Sequence, residues 1–214
     1  MVIGCAVCLL YPNFIDMSIT KTRALLVDVA RHLFAQKGLD GTTMNDIAVA
    51  SQKGRRTLYT YFKNKEEIYY AVIESEVERI SEKMDEVANR EMDSEQKVVM
   101  LVFTHLSMIK EAVIRNGNLR AEFFRNIWMV ERCRKAFDQE ELEIFRRVLK
   151  EGKEKGHLCL DNIELTADII HYCLKGLEVP YIYGRLGGGI SVEESRPIVM
   201  RMVCRCLGVN RMYY

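Results

Sequence analysis

The 214-residue sequence predicts an all-α protein, and three observations carry that expectation. Apolar residues recur with a period of about 3.6 from Ser18 onward. No stretch alternates as a half-buried strand would, and only 3 prolines interrupt the chain. With 49% hydrophobic and 29% charged residues, the chain has the apolar surface to offset its conformational entropy, which excludes a disordered class. The absence of a Gly-X-Y period excludes a collagen-like one. No apolar run reaches the roughly 18–20 residues that span a bilayer, so no membrane partner is expected. Met1–Tyr11 is apolar but has no preceding Lys or Arg and no cleavage site after it. A secretory signal is therefore not indicated, and a cytoplasmic location is expected. The 7 cysteines suit reduced, partly buried thiols better than a disulfide framework.

Residues 1–16 differ from the rest of the chain: they hold Pro12 and Asn13 and end just before Met17. They read as a non-native or flexible leader, with translation expected to start at Met17. Leu26, Val29, Ala30, Leu33 and Phe34 form one stripe that stops at Gly38, which predicts a helix over about 19–37. Thr43 with Asp46 three residues on is an N-cap signal for a short helix over about 44–51, with Ile47 and Ala48 on its buried face. After Ser51-Gln52-Lys53-Gly54 a third short helix puts Leu58 and Phe62 on one side. Asn64 and Glu67 form a capping box, so a fourth helix starts at Lys65. Ile68, Ala71, Val72, Val77, Ile80, Met84 and Val87 carry it to about residue 90. Later helices are expected over about 94–115, 118–136, 138–156, 162–184 and 192–208, bounded by Gly117, Gly156, Asp161 and Gly187-Gly188-Gly189. Pro197 suits only the start of the last one, which moves its expected beginning toward Ser195.

Three helices in under fifty residues, two of them short and joined by a tight turn, describe a helix-turn-helix. The net charge of +1 hides an uneven distribution. Residues 17–65 carry nine basic and three acidic side chains, a net +6, whereas residues 66–214 are net −4 and Asp16 contributes −1. A basic head on an acidic body is the electrostatic footprint of a nucleic-acid partner confined to one end. On the third helix Arg55 and Arg56 have the donor pairs that match guanine O6 and N7. Thr57 and Thr60 suit base edges or a thymine methyl, and tyrosine and lysine reach phosphate oxygens. Helix N-termini at Thr43 and Lys65 favour an anion. An isolated basic trio such as Arg55, Arg56 and Lys63 on a short helix would by itself read as solvated surface, but its setting in this head argues for DNA.

The stretch Thr43-Met44-Asn45-Asp46-Ile47-Ala48, followed by Thr57-Leu58-Tyr59-Thr60-Tyr61-Phe62-Lys63-Asn64-Lys65-Glu66-Glu67-Ile68, resembles the DNA-binding domain of TetR (tetracycline-repressor) family transcriptional regulators. The resemblance covers about 50 residues. It implies an all-helical homodimer with an N-terminal helix-turn-helix (17–66) and a C-terminal effector-binding and dimerisation domain (67–214). By the same resemblance, phosphate contacts fall on Thr43, Tyr59, Tyr61 and Lys65, and base-reading positions on Arg55, Arg56, Thr57 and Thr60. The chain departs from the family where Gln52, Lys53 and Gly54 replace the usual glycine, apolar residue and Ser or Thr cap, and where Arg56 replaces a glycine. A second arginine implies a guanine-containing half-site. The implied partners are double-stranded operator DNA, palindromic because the protein is a dimer, a second copy of the chain and a small-molecule effector. A repressor released by its effector is the expected mode.

In the body, Glu151-Gly152-Lys153-Glu154-Lys155-Gly156-His157-Leu158 is similar to the family's loop before its dimerisation helices. Ile169, Ile170, Cys173, Leu174 and Leu177, with Val199, Met202, Val203, Cys206 and Leu207, form stripes suited to a four-helix interface and equally to the monomer's core. Phe103, His105, Met108, Phe123, Phe124, Trp128, His171, Tyr172 and Tyr181 are candidates for a pocket that takes a largely apolar or aromatic effector. Within this set Phe103, His105, Met108, Phe124, Trp128, His171 and Tyr172 carry the expectation. The same residue types also make ordinary core. Other chemistries have weaker support. Glu154-Lys155-Gly156-His157 fits one half of a di-iron bundle motif, but no second pair exists and Gly156 breaks the helix. Cys5-Ala6-Val7-Cys8 lacks a partner pair, and Cys204-Arg205-Cys206 splits its thiols over two faces. A thiol-based redox sensor is the alternative regulator. No nucleophile-base constellation or phosphate-cradling loop is present, so neither an enzyme nor a metal or other cofactor is expected.

Overall fold

The computed structural model describes residues 12–117 and 127–209, with the side chains of 12–18 and 127–133 outside the description. The described residues form eight α-helices and no strand. These are α1 (Pro12–Lys37), α2 (Met44–Ala50), α3 (Arg55–Tyr61), α4 (Lys65–Ala88), α5 (Ser94–Arg115), α6 (Ile127–Glu154), α7 (Ile163–Ile182) and α8 (Val192–Cys206). A 3-10 turn, Leu186–Gly188, precedes α8. Among the described residues no helix is long and apolar enough to cross a membrane. The chain divides into two compact units, one of Met1–Ile73 with Asn116–Asn126 and one of Glu74–Arg115 with Ile127–Tyr214.

In the first unit the core is built from Leu26, Ala30 and Phe34 of α1, Ile47 and Ala48 of α2, Leu58 of α3, and Phe62, Ile68, Tyr69 and Val72. Phe34 meets Tyr69 edge-on at 6.2 Å between ring centroids, a favourable geometry for aromatic quadrupoles. Gly38, at φ +76, ends α1 in the left-handed conformation that a helix C-terminus needs. The turn after it lies so close to α1 that a Cβ on Gly41 would stand 2.4 Å from the Lys37 carbonyl oxygen. Two local expectations shift, one by about seven residues and one by a single residue. α1 begins at Pro12, not near 19, and a proline in the first turn loses no helical hydrogen bond. At the start of α4, Asn64 Oδ1 accepts from the Glu67 amide at 2.8 Å as expected, but the Glu67 carboxylate accepts from the Lys63 amide at 2.7 Å, one residue earlier than predicted.

In the second unit α5 packs against α6, α7 and α8, and α6 against α7. Ile80, Met84, Leu101, Phe137, Phe145, Leu149, Leu174 and Leu207 belong to one buried cluster. The break predicted near residue 137 does not exist: α6 runs unbroken from 127 to 154 through the buried Phe137. The reason is compositional, because Gly152 is the first glycine in that span and no proline occurs there. The part of the predicted 118–136 helix before Ile127 lies outside the described residues. α8 begins at Val192, not at Ser195. The Ser191 side chain accepts from the Glu194 amide while Glu194 accepts from the Ser191 amide, and this reciprocal cap outweighs the one hydrogen bond that Pro197 forfeits.

The stripes on the last two long helices divide between inside and outside. Leu174 and Leu207 are buried and Ile170, Leu177, Val199 and Val203 are half-buried, whereas Ile169, Cys173, Met202 and Cys206 face out. The outer face of α7 runs Leu165, Ile169, Tyr172, Cys173, Gly176 and Val179 at steps of three and four, and Tyr183 continues it beyond the helix end. Ile198, Met202 and Cys206 form a similar exposed line on α8.

Between α2 and α3, Gln52 is the non-glycine residue with positive φ, at 55°. A side chain in this conformation costs about 1–2 kcal/mol, against about 0.5–1 kcal/mol of extra chain entropy that glycine forfeits on folding. Gln52→Gly is therefore expected to raise stability by a few tenths to about 1 kcal/mol, and Gln52→Val to lower it. Urea midpoints for the two variants check this, and a Gly variant less stable than the parent refutes it.

Candidate functional site

Of the basic residues in the first unit, Arg55 and Arg56 lie on α3, Lys53, Lys63 and Lys65 flank it in the chain, and Lys21, Arg23, Arg31 and Lys37 lie on α1. Thr43 caps α2: its hydroxyl accepts from the Asp46 amide at 3.1 Å and donates to Asp46 Oδ2 at 2.8 Å, and its own amide reaches Asp46 Oδ2 at 2.9 Å. The amide and hydroxyl of Thr43 hold the Asp46 carboxyl below its usual pKa, so the cap stays charged. The departure from the family turn is accommodated by Gln52 in the left-handed conformation, and Gly54 serves as N-cap of α3 without a side-chain bond.

Leu58 anchors α3 in the core, fully buried. At about 100° per residue, Arg56 and Thr60 each stand about 160° from Leu58, and Thr57 and Tyr59 about 100° from it. All four are exposed. Arg55 and Tyr61 lie only about 60° from the buried direction. Tyr61 is accordingly half-buried, while Arg55 at the end of the helix is exposed. The outermost pair is thus Arg56 and Thr60. They are also joined, since the Thr60 hydroxyl donates to the Arg56 carbonyl at 2.9 Å. Lys65 is half-buried, and its ammonium donates to the Leu39 carbonyl at 2.8 Å and the Thr42 carbonyl at 3.4 Å.

In the second unit His105 and His171 come together through residues that the sequence pattern did not single out. His105 is fully buried on α5, with Nδ1 at 2.5 Å from Glu141 Oε1 and Nε2 at 3.1 Å from Glu178 Oε1. The second Glu141 oxygen meets His171 Nδ1 at 2.5 Å. Arg134 holds Glu178 with two nitrogens, at 3.0 and 2.5 Å, and Lys175 donates to Asp138 at 2.5 Å. Arg134, Asp138 and Glu141 are spaced four and three apart on α6. His171, Lys175 and Glu178 share that spacing on α7. The pairs form a ladder that descends one helix as it climbs the other, as antiparallel neighbours require. Two matching charged stripes of opposite order were the signal available in the sequence.

Burial alone would lower the His105 pKa, but hydrogen bonds to Glu141 and Glu178 outweigh it and raise it to about 9. For Glu178, burial is again opposed and overcome, here by His105 and Arg134, which bring it down to about 2. Glu141 is lowered by His105 and His171 against the same burial penalty.

The other candidates scatter. Phe103 is buried and Met108 half-buried on α5. Tyr181 is half-buried and its hydroxyl lies 3.1 Å from that of Ser107. Tyr172 departs from the pocket expectation: it is 69% exposed, because it sits on the outer face of α7, about 100° round the helix from His171. Phe123 and Phe124 lie outside the described residues, as do Cys5 and Cys8, and Trp128 is on α6 with its side chain outside the description. Among the described residues no group of three or more His, Cys, Asp or Glu is placed to hold a metal. Glu154 and His157 are separated by the helix end and by Gly156 at φ +70. Cys159, Cys173 and Cys206 are exposed. The Cys204 thiol is pushed up by burial and then by Glu95, which makes it a poorer nucleophile.

The ladder predicts how stability depends on pH. The raised His105 pKa means its contribution is complete below 6.5 and is lost as pH climbs through about 9. The lowered Glu178 pKa means its contribution is complete above 4.5 and is lost as pH falls toward about 2. Urea midpoints should therefore fall between about pH 7 and 10 in the parent and lose most of that slope in His105→Gln. Glu141→Ala, which takes one buried hydrogen-bond partner from each of His105 and His171, is expected to cost about 3–5 kcal/mol; a loss below about 1 kcal/mol would contradict the ladder's role.

Known proteins resemble this chain both in sequence and in fold. The family model described as bacterial regulatory proteins, tetR family, matches residues 26–72. The HTH-type transcriptional regulator YhgD of Bacillus subtilis is 26% identical over 156 residues, 72% of this chain and 80% of that protein. The HTH-type transcriptional regulator QacR of Staphylococcus aureus is 21% identical over 155 residues, 71% of this chain and 81% of that protein. A crystal structure of a transcriptional regulator from Cytophaga hutchinsonii superposes with a TM-score of 0.64 at 25% identity, covering 86% of this chain and 94% of that one. With a tight helix-turn-helix in its first unit and a helical second unit, the chain is a transcriptional regulator of the TetR family.

Proposed function

We propose that this regulator is a cytoplasmic repressor that binds a palindromic operator as a homodimer and is released by a small, largely apolar or aromatic effector. The observation that carries the DNA reading is the outward face of α3, where Arg56 and Thr60 stand opposite the buried Leu58 with Thr57 and Tyr59 on their flanks. In this reading residues 17–66 form the DNA-binding head and 67–214 the effector and dimerisation body. Arg56 and Thr60 read base edges at the centre of the major-groove contact, with Thr57 and Arg55 beside them. Thr43, Tyr59, Tyr61 and the Lys65 helix start lie along the flanking phosphates. The net +6 of residues 17–65 supplies the sequence-independent attraction.

The dimer rests on the exposed apolar face of α7 and α8, centred on Leu165, Ile169, Tyr172, Val179, Ile198 and Met202. Gly176 supports a close helix-helix approach there, since a Cβ at that position would meet nothing within 4 Å. A glycine inside an exposed helix costs about 1 kcal/mol relative to alanine, which a backbone contact with a second copy would offset. A two-fold axis would set two recognition helices about 34 Å apart, or a little further, facing two half-sites. The effector region takes in Phe103, His105, Met108, Phe124, Trp128 and His171, while Tyr172 belongs to the dimer face. Effector binding acts by favouring a state whose two heads no longer match the half-site spacing.

Selection of bound fragments from the host genome tests the DNA reading. Enriched fragments should share an inverted repeat, and binding should weaken steeply with salt; no enrichment, or affinity indifferent to salt, overturns it. On the enriched operator, Arg56→Ala should cost about 1–3 kcal/mol and relax one base position, more than Arg55→Ala does. Ile169→Asp should convert a dimer to a monomer in sedimentation at micromolar concentration, and an unchanged dimer would move the interface elsewhere.

A further inference from the structure

We infer that Lys65 is a positioning residue: its ammonium ties the turn before α2 to the start of α4, and its side chain does not neutralise a phosphate. This rests on the DNA-binding reading above and changes the role that the family resemblance assigns to one of its residues. The ammonium reaches back to two main-chain oxygens, Leu39 at 2.8 Å and Thr42 at 3.4 Å, more than twenty residues earlier in the chain. Both residues are buried, Leu39 at 6% exposure and Thr42 at 1%. The turn between them is already tight. The Thr42 amide donates to the Leu39 carbonyl at 3.3 Å, and the Thr42 hydroxyl donates to the Gly38 carbonyl at 2.8 Å. The Leu39 and Thr42 carbonyls therefore converge on a single cation, and a charge-assisted hydrogen bond is about twice as strong as a neutral one.

The next residue after Thr42 is Thr43, the cap of α2, and Lys65 is itself the first residue of α4. One ammonium thus fixes the spacing between the two helix N-termini that lie along the operator backbone in the proposed complex. A cation in the first turn of a helix is disfavoured by the helix dipole, so its presence there calls for anionic or carbonyl partners. In this structure carbonyls provide them. Phosphate contact at this position then falls to the main-chain amides of the α4 start.

The test is Lys65→Met, assayed with a duplex carrying the half-sites recovered by the genomic selection and with a random-sequence duplex of the same length. If the side chain positions the turn, affinity for the selected duplex falls about tenfold or more. The slope of log K against log salt stays at the parent value on both duplexes. Amide hydrogen exchange across Thr43–Ala50 in the free protein speeds up, with α5 to α7 unchanged. A slope reduced by about 0.9, the release of one phosphate's counterions, overturns the inference, whatever the affinity. So does unchanged exchange across Thr43–Ala50, which also covers a variant too weak to titrate. A parent protein that binds neither duplex in a salt-dependent way sinks the DNA-binding reading itself, and this inference with it.

Discussion

The charged ladder between α6 and α7 constrains the second unit more tightly than any apolar contact in it. A hydrophobic interface between two helices tolerates a slide by one turn with modest loss, because leucine against phenylalanine is little different from leucine against leucine. Glu141, with no exposure, cannot tolerate that slide. Both of its oxygens are taken by imidazoles, one from α5 and one from α7, so three helices must meet at one depth for the charge to be compensated. Glu178 repeats the requirement with Arg134 and His105. The ladder specifies which arrangement of helices is allowed, while the apolar cluster around Phe137, Phe145 and Leu174 supplies most of the attraction.

The first unit solves a different problem. It must hold two helices of only seven residues each, too short to be stable alone, in a fixed relation to a third. Local chemistry does much of this: the reciprocal Thr43–Asp46 cap and the Asn64 cap start their helices cleanly, and Leu58 and Phe62 pin α3 to the core. Gln52 in a left-handed conformation and Lys65 on the turn carbonyls complete the geometry at positions where other residue types would be simpler. Cost at those positions is consistent with a head whose shape must match a rigid partner.

Much of the first unit was legible because its signals are local. A cap and the acid three residues on, a glycine at a helix end, and an i, i+4 apolar pair all act within one or two turns. Arg55, Arg56, Thr57 and Thr60 were recognisable as a set for the same reason. Their ranking was not, because it depends on where Leu58 points once α3 docks. In the second unit His105 and His171 stand out by residue type, but nothing within a short window distinguishes Glu141, Glu178, Arg134, Asp138 and Lys175 from ordinary surface charge. Each gains meaning only from a partner more than twenty-five residues away. Tyr172 stands apart from the buried candidates because the direction in which α7 docks decides which of two adjacent aromatic rings is buried.

The amino-acid sequence by itself determined the helical class, the positions of the short helices and the concentration of basic charge in the first 65 residues. Each of these follows from periodicity, capping chemistry and composition within a short window. Tertiary structure decided which charged residues are buried, which half of each apolar stripe is left exposed, and that the Lys65 ammonium turns inward to two carbonyls. Those outcomes depend on the relative placement of elements far apart in the chain, and no window of sequence contains both members of such a pair.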